Sequence, residues 1–198
     1  EWRWQNASNT QTKHQFSGPL WNGESLAGQT LLVHAEQGFG DVIQFVRFLS
    51  SIEKSDGRLI LACHAALVEV FSEFEAIDQV IDMTGEIPPF DCQAPLLSLP
   101  RILGVDGTGI PTPPYLSPKA ADNGLDTAKL KIGFAWAGMP RHEFDPHRNR
   151  SIPIEAFEPL IKLTEIQFYS LQTGPQAVEL GRINDSSTII DLEPGILS

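Results

Sequence analysis

Short apolar runs alternate along the chain with segments in which apolar residues recur at helical spacing. One such run, Thr30 to His34, is followed by two glycines and then by apolar residues every three or four positions as far as Ile52. This pattern predicts a strand, a glycine turn and a helix that begins at Asp41. Further strands are predicted at 58–63, 79–83, 96–99, 131–135, 166–171 and 188–190, and helices at 65–74, 101–103 and 153–163. Strands that alternate with helices are typical of a parallel α/β sheet.

A proline-rich segment marks a domain boundary. Residues 110–123 contain four prolines, and such a composition cannot continue a helix or a central strand. We therefore divide the chain into an N-terminal lobe with an irregular aromatic arm (1–118), a linker (119–129) and a partial C-terminal lobe (130–198). Pro159 falls inside the predicted helix at 153–163 and should split it into two short turns.

The composition limits the classes of function. Of the 198 residues, 41% are hydrophobic and 20% are charged, and the net charge of −11 argues against general binding to nucleic acid or to anionic membranes. The sequence has no apolar run long enough for a membrane span. Two cysteines without metal-ligand spacing fit a reducing compartment, and the polar N-terminus is unlike a signal peptide. We therefore expect a cytoplasmic protein without a metal or another cofactor.

The glycine turn after the first strand has a chemical use. Gly38 and Gly40 permit backbone angles that other residues resist, and they let a ligand approach the main chain. Asp41 has two interpretations. With Gln44 three residues later it forms a capping-box pattern, so that it would cap the helix. Alternatively, it is a carboxylate at the mouth of a cleft, able to take a proton from a hydroxyl group.

A basic cluster follows the predicted strand at 131–135. Three of the 14 lysines and arginines and two of the five histidines lie between Arg141 and Arg150, in an otherwise acidic chain. Loops at the carboxyl ends of parallel strands bind ligands, and arginines there suit a diphosphate. A solvated surface loop whose arginines meet nearby acids is the alternative interpretation.

Several stretches together resemble one protein family. HAEQGFGDVIQFVRF (34–48) is similar to the opening motif of the C-terminal region of bacterial tetratricopeptide-repeat proteins. That region resembles the heptosyltransferases and, more distantly, the O-linked N-acetylglucosamine transferases. The resemblance implies an α/β, GT-B-like fold of two Rossmann-like parallel-sheet lobes. It also implies that the second lobe is incomplete, since the family's later Asp-Thr…His donor segment is absent. The other matching stretches are residues 19–41, 90–104, 113–116, 131–153 and 168–174.

The resemblance also implies roles for particular residues. Gly40-Asp41 matches the Gly-Asp that supplies the proposed catalytic base of the heptosyltransferases. Arg150, and after it Arg148, matches the basic residue that contacts the donor phosphates. By position alone, further candidates flank these residues, although a histidine such as His34 is more often structural and a cap partner explains Gln44 equally well. They are His34, Glu36, Gln37, Gly38, Gly40 and Gln44 for the acceptor, and Trp136 and Gln172 for the donor.

The function implied is transfer of a sugar from a nucleotide-diphospho-sugar to an acceptor hydroxyl group, with inversion and without a metal. The acceptor would be a glycan, a lipid-linked glycan or a protein, and tetratricopeptide repeats would precede this region in the natural protein. A non-catalytic sugar- or protein-binding module of a repeat scaffold is the alternative. A generic nucleotide-binding α/β domain is a weaker third possibility, because it leaves the resemblance unexplained.

Overall fold

The computed structural model of the protein describes residues 16–111, 115–116, 128–138, 151–183 and 188–192. It shows a mixed α/β fold with parallel sheets, as the alternating pattern predicted. The chain divides into two compact units, Glu1–Lys119 and Ala120–Ser198, each with its own sheet and core.

The first unit is built on a four-stranded parallel sheet in the order β3-β2-β1-β4. β1 pairs with β2 from Thr30↔Arg58 and with β4 from Leu31↔Cys92, so it is a central strand. The chain runs outward from β1 to β3 and then returns to the other side of β1. The topological switch point, where α/β sheets of this kind bind ligands, therefore lies between β1 and β4. The strands are β1 (Thr30–His34), β2 (Arg58–Cys63), β3 (Gln79–Asp82) and β4 (Cys92–Pro95).

Helices cover one face of this sheet. The main core consists of apolar side chains from that face and from the helices, among them the fully buried Leu31, Leu61 and Phe71. Burial of such side chains is the main stabilising contribution to the unit. The helices are α1 (Phe39–Phe45), which continues as a 3-10 helix (Val46–Ser51), α2 (Ala65–Phe71), and α3 (Leu99–Ile102), which follows a 3-10 helix (Leu96–Ser98).

The opposite face is covered by extended chain instead of a helix. Leu32, Ile60 and Ala62 form a small second core there, and Phe16 of the arm and Phe90 of the β3–β4 crossover pack against it. The arm is fixed along the outer edge of β4: the N–H of Trp21 donates a 2.8 Å hydrogen bond to the carbonyl oxygen of Gln93. Both faces of the sheet are thus buried, which explains the continuous apolar runs of β1 and β2.

The strand predicted at 96–99 is wrong, because these residues are helical and the strand lies at Cys92–Pro95. Leu96 and Leu99, both fully buried, are three residues apart, which is helical spacing. Pro100 lies in the first turn of α3, where the missing N–H group of proline is not needed. The helical turn predicted at 101–103 therefore begins earlier, at Leu99.

The second unit has a three-stranded parallel sheet in the order β5-β6-β7. Phe168 of β6 packs against Ile154, Trp136 and Ile189 in its core. Pro159 splits the predicted helix: a 3-10 helix (Ile154–Phe157) precedes α4, and the proline occupies the first turn of α4. The elements are β5 (Leu130–Phe134), α4 (Glu158–Ile161), β6 (Ile166–Ser170), a second 3-10 helix (Gly174–Arg182) and β7 (Ile189–Asp191).

Candidate functional site

The candidate site lies at the carboxyl ends of β1, β2 and β4 in the first unit. Glu36 to Gly38 follow β1 and lead into α1, His64 follows β2, and Leu96 follows β4. Because the three strands are parallel neighbours, these loops share one edge of the sheet, which includes the switch point.

Asp41 does not cap the helix, so the capping-box interpretation is wrong. α1 begins at Phe39 with Gly38 as its N-cap, and the N–H of Val42 donates to the carbonyl oxygen of Gly38 at 3.2 Å. Asp41 therefore lies inside the first turn, where its charge interacts favourably with the helix dipole. Its side chain is partly exposed, and within the described part of the chain its carboxylate has no hydrogen-bond or ion-pair partner.

The two glycines of the turn do not have the backbone angles that were expected of them. Gly38 has φ −65° and ψ 169°, which any residue adopts, and Gly40 lies in the helix without a positive φ. A Cβ atom at Gly40 would meet no atom within 4 Å, and at Gly38 it would meet only Asp41 Oδ2 at 3.8 Å. The fold therefore does not require glycine at either position, and close approach of a ligand remains as a reason for both.

Glu36 joins the two sides of the switch point. Its carboxylate accepts a 3.0 Å hydrogen bond from the N–H of Leu97, which lies in the helical segment after β4. One carboxylate oxygen of Glu36, a predicted acceptor-binding residue, thus accepts a hydrogen bond from the protein itself. Gln37 and Gln44 are exposed, Gln37 in the turn and Gln44 on α1, where a ligand can reach them.

His34 lies in the interior and not in the glycine turn. It is 1% exposed, and its Nε2 is 2.9 Å from Oε1 of Gln93, another buried polar side chain. Gln93 Nε2 donates to the carbonyl oxygen of Phe16 at 2.8 Å, and the Phe16 ring packs on the His34 ring with centroids 5.0 Å apart. These contacts support a structural histidine that connects β1, β4 and the arm. Gln93 was not predicted, because nothing in its local sequence shows these partners.

Two further side chains of this edge were not singled out from the sequence as site residues. Phe39 is 49% exposed, and its ring contacts the ring of His64, with centroids 4.8 Å apart and an angle of 65° between the two planes. Hydrogen bonds from the N–H and hydroxyl groups of Thr84, helped by the charge of His64, hold the pKa of Asp82 below its usual range. Burial, helped by the charge of Asp82, raises the pKa of the Cys63 thiol to about 11. Cys63 is therefore a neutral core residue and not a nucleophile.

In the second unit, the side chains of the predicted donor-binding residues Trp136 and Gln172 make hydrogen bonds to other groups of the protein. Trp136 is buried, and its Nε1 donates to Glu179 at 3.2 Å. Oε1 of Gln172 accepts from the N–H groups of Trp136 and Ala137 at 3.1 and 2.9 Å, and its Nε2 donates to the carbonyl oxygens of Ala137 and Thr173. Gln172 thus clamps the loops that follow β5 and β6.

The predicted donor-phosphate ligands Arg148 and Arg150 lie outside the described residues. Within the described ranges, no cluster of three His, Cys, Asp or Glu side chains can hold a metal ion. Among the same residues, no helix has the length and apolar character needed to cross a membrane.

The fold and the site define an α/β protein with two parallel sheets and a glycine turn at the switch point of the first. Over 62 residues the chain is 36% identical to Protein FlbA of Caulobacter vibrioides, a stretch that covers 30% of this chain and 10% of FlbA. The chain thus spans about a tenth of the length of the curated relative it matches. No family model matches the chain, and no solved structure matches it significantly. Its function must therefore be inferred from the site.

Proposed function

We propose that this chain is the sugar-transferring region of a GT-B-type, inverting glycosyltransferase. The observation that carries the proposal is the partly exposed carboxylate of Asp41, which has no partner among the described residues and lies beside glycines that the fold does not require. The position at the switch point of a parallel sheet and the resemblance to the heptosyltransferases support it.

In the proposed reaction Asp41 acts as general base. The acceptor hydroxyl oxygen attacks the anomeric carbon of the donor sugar, and its proton passes to the Asp41 carboxylate. The new bond joins the acceptor oxygen to the anomeric carbon. The bond from that carbon to the phosphate oxygen breaks, and the nucleoside diphosphate leaves with the electron pair. Arg148 and Arg150 are proposed to offset the charge of the leaving diphosphate.

A non-catalytic binding module is the second candidate. It is favoured by the internal use of Glu36 and Gln172, two polar side chains that sequence position assigned to acceptor and donor. The two candidates differ in what they require of Asp41 and of the arginines, because a binding module needs no base and no diphosphate ligand.

The donor side is tested by calorimetric titration of the chain with UDP, ADP, GDP and dTDP, repeated on Arg150→Ala. Selective binding of one nucleotide that is weakened in the variant supports the donor site and identifies its base. Equal affinity of the variant removes Arg150 as a ligand, and the absence of any binding favours the binding module.

The base is tested by release of the nucleoside diphosphate from the matching nucleotide-sugar in the presence of candidate acceptors. Asp41→Asn should abolish release at a cost of only about 0.3–1 kcal/mol in stability, the usual contribution of a first-turn charge. The matched control is Glu53→Gln, which neutralises another exposed carboxylate of the first unit, located before β2 at the opposite edge of the sheet. Release near the wild-type rate in Asp41→Asn would exclude Asp41 as the base.

A further inference from the structure

Phe39 is the one exposed aromatic side chain among the described residues. The residue is 49% exposed, whereas the other described Phe, Trp and Tyr residues are buried or partly buried. It is the first residue of α1, and Asp41 lies in the first turn of the same helix. Aromatic side chains usually lie in cores because their removal from water stabilises the fold, and an exposed ring contributes little of this stabilisation.

The surroundings of Phe39 keep the ring accessible. Gly38 and Gly40 on either side have no side chains, and a Cβ atom added at Gly40 would meet nothing within 4 Å. The ring also contacts that of His64 at an angle of 65° between the two planes, so the two rings are not stacked in parallel. The chain thus presents an exposed aromatic side chain two residues before Asp41.

We propose that Phe39 is the stacking platform of a sugar-binding subsite that takes a pyranose ring of the acceptor. One face of a pyranose consists of C–H groups whose hydrogens are slightly positive, and these pair with the negative face of an aromatic ring. The identity of this sugar as the acceptor rests on the proposed function; the binding of a pyranose at Phe39 does not.

Position distinguishes Phe39 from an ordinary exposed apolar residue. Single apolar side chains on a protein surface are common and need no explanation. Val70 on α2, 51% exposed, is an example in the same unit. Phe39 instead lies at the carboxyl edge of the sheet, where parallel sheets bind ligands, between two glycines that the fold does not require.

The subsite is tested with methyl glycosides of glucose, galactose, mannose and N-acetylglucosamine as probes, at millimolar concentrations. Binding to the full chain is followed by saturation-transfer NMR and compared among variants. Phe39→Ala should weaken the binding of the preferred glycoside by roughly three- to tenfold, the range expected for loss of one aromatic contact. Phe39→Trp should retain binding because it keeps an aromatic face. Val70→Ala, the matched control, should bind as the wild type does.

His64 acts as a positioning residue for the Phe39 ring. Its side chain makes no capping hydrogen bond at the start of α2, so its replacement does not remove a cap. His64→Phe keeps an aromatic ring beside Phe39 and should retain glycoside binding, whereas His64→Ala should weaken it. Equal loss in both variants would show that the imidazole itself contacts the sugar.

Two results would overturn the subsite: no binding of any of the four glycosides to the wild type, or wild-type affinity in Phe39→Ala. The nucleotide titration is run in parallel, so that the two proposals fail separately. If no nucleotide binds but glycoside binding depends on Phe39, the sugar subsite stands and the transferase proposal does not. If a nucleotide binds and Phe39→Ala has no effect on the glycosides, the subsite fails alone.

Discussion

Replacement of Gly40 by alanine should stabilise the protein and impair ligand binding. A Cβ atom at this position meets nothing within 4 Å, and the residue lies in α1 without a positive φ. Under these conditions Gly→Ala reduces the entropy of the unfolded chain, and a gain of about 0.5–1 kcal/mol in the free energy of unfolding is expected. For a chain of this length the gain corresponds to a rise of about 1–4 °C in Tm.

Thermal and urea unfolding measure the predicted gain in stability. Gly57→Ala is compared with it, because the structure predicts a loss of stability there. A Cβ atom at Gly57 would overlap Cβ of Leu26 and lie 2.9 Å from the carbonyl oxygens of Gln29 and Lys54. Such overpacking should cost about 1–3 kcal/mol. The structure thus predicts opposite signs for the same substitution at two glycines of one unit.

The predicted loss of ligand binding in Gly40→Ala is measured with the methyl glycosides and nucleotides as probes. Gly181→Ala is the matched control. A Cβ atom at Gly181 also meets nothing within 4 Å, but this glycine lies in the second unit. It should tolerate alanine without any change in probe binding. A loss of stability in Gly40→Ala would show that the fold does require this glycine. Unchanged affinity for every probe in Gly40→Ala would refute the argument that open space there serves a ligand.

Three further predictions concern contacts within the units. Gln172→Leu removes the clamp between two loops and should cost about 2–4 kcal/mol in urea unfolding, because backbone groups lose their partners; a cost near zero would contradict this. Although burial raises it, hydrogen bonds from Leu59 and Lys54 hold the pKa of Asp78 below its usual value. The stabilisation is therefore complete above the unfolded pKa of about 4 and is lost as the pH falls through the folded pKa. In Asp78→Asn, urea midpoints should depend less on pH in this acidic range, and an unchanged profile would argue against the contact. Tyr115→Phe removes two hydrogen bonds to the helical layer and should cost about 0.5–1.5 kcal/mol, whereas unchanged stability would show that they contribute nothing.

The sequence correctly predicted those elements that are determined by a few neighbouring residues. β1 and β2 begin and end at the residues that the sequence predicted. Uninterrupted apolar runs identify strands that are buried on both faces of a sheet. The break at Pro159 was likewise predictable, since the missing N–H group acts locally. The helix predicted from Asp41 began two residues too late, because Gly40 was assigned to the turn and not to α1.

β4 could not be predicted, because its pattern depends on partners far away in sequence. Gln93, a polar residue, occupies the middle of the strand and is buried. Its side chain is satisfied by His34, 59 positions earlier, and by the carbonyl oxygen of Phe16, 77 positions earlier. Without these partners a buried amide is costly, so local sequence favours the apolar run at Leu96 as the strand.

The candidate site was predictable in location but not in the use of its side chains. A strand, a glycine turn and a helix place Asp41 at the carboxyl edge of the sheet whatever the rest of the chain does. Whether a polar residue at that edge is available to a ligand depends on long-range contacts. The carboxylate of Glu36 meets an N–H group 61 positions later, and the amide of Gln172 meets groups 35 and 36 positions earlier.

Four consecutive residues, Gly38 to Asp41, combine features for which the fold has little structural use. Two glycines have ordinary backbone angles and open space, one aromatic ring is left in water, and one carboxylate has no partner among the described residues. Each feature alone has an ordinary explanation. Together, at the switch point of a parallel sheet, they are what the proposed function expects of a segment that contacts a ligand, since local inconsistency with stability is expected at functional sites. The sign of the stability change in Gly40→Ala tests the first of these features without any knowledge of that ligand.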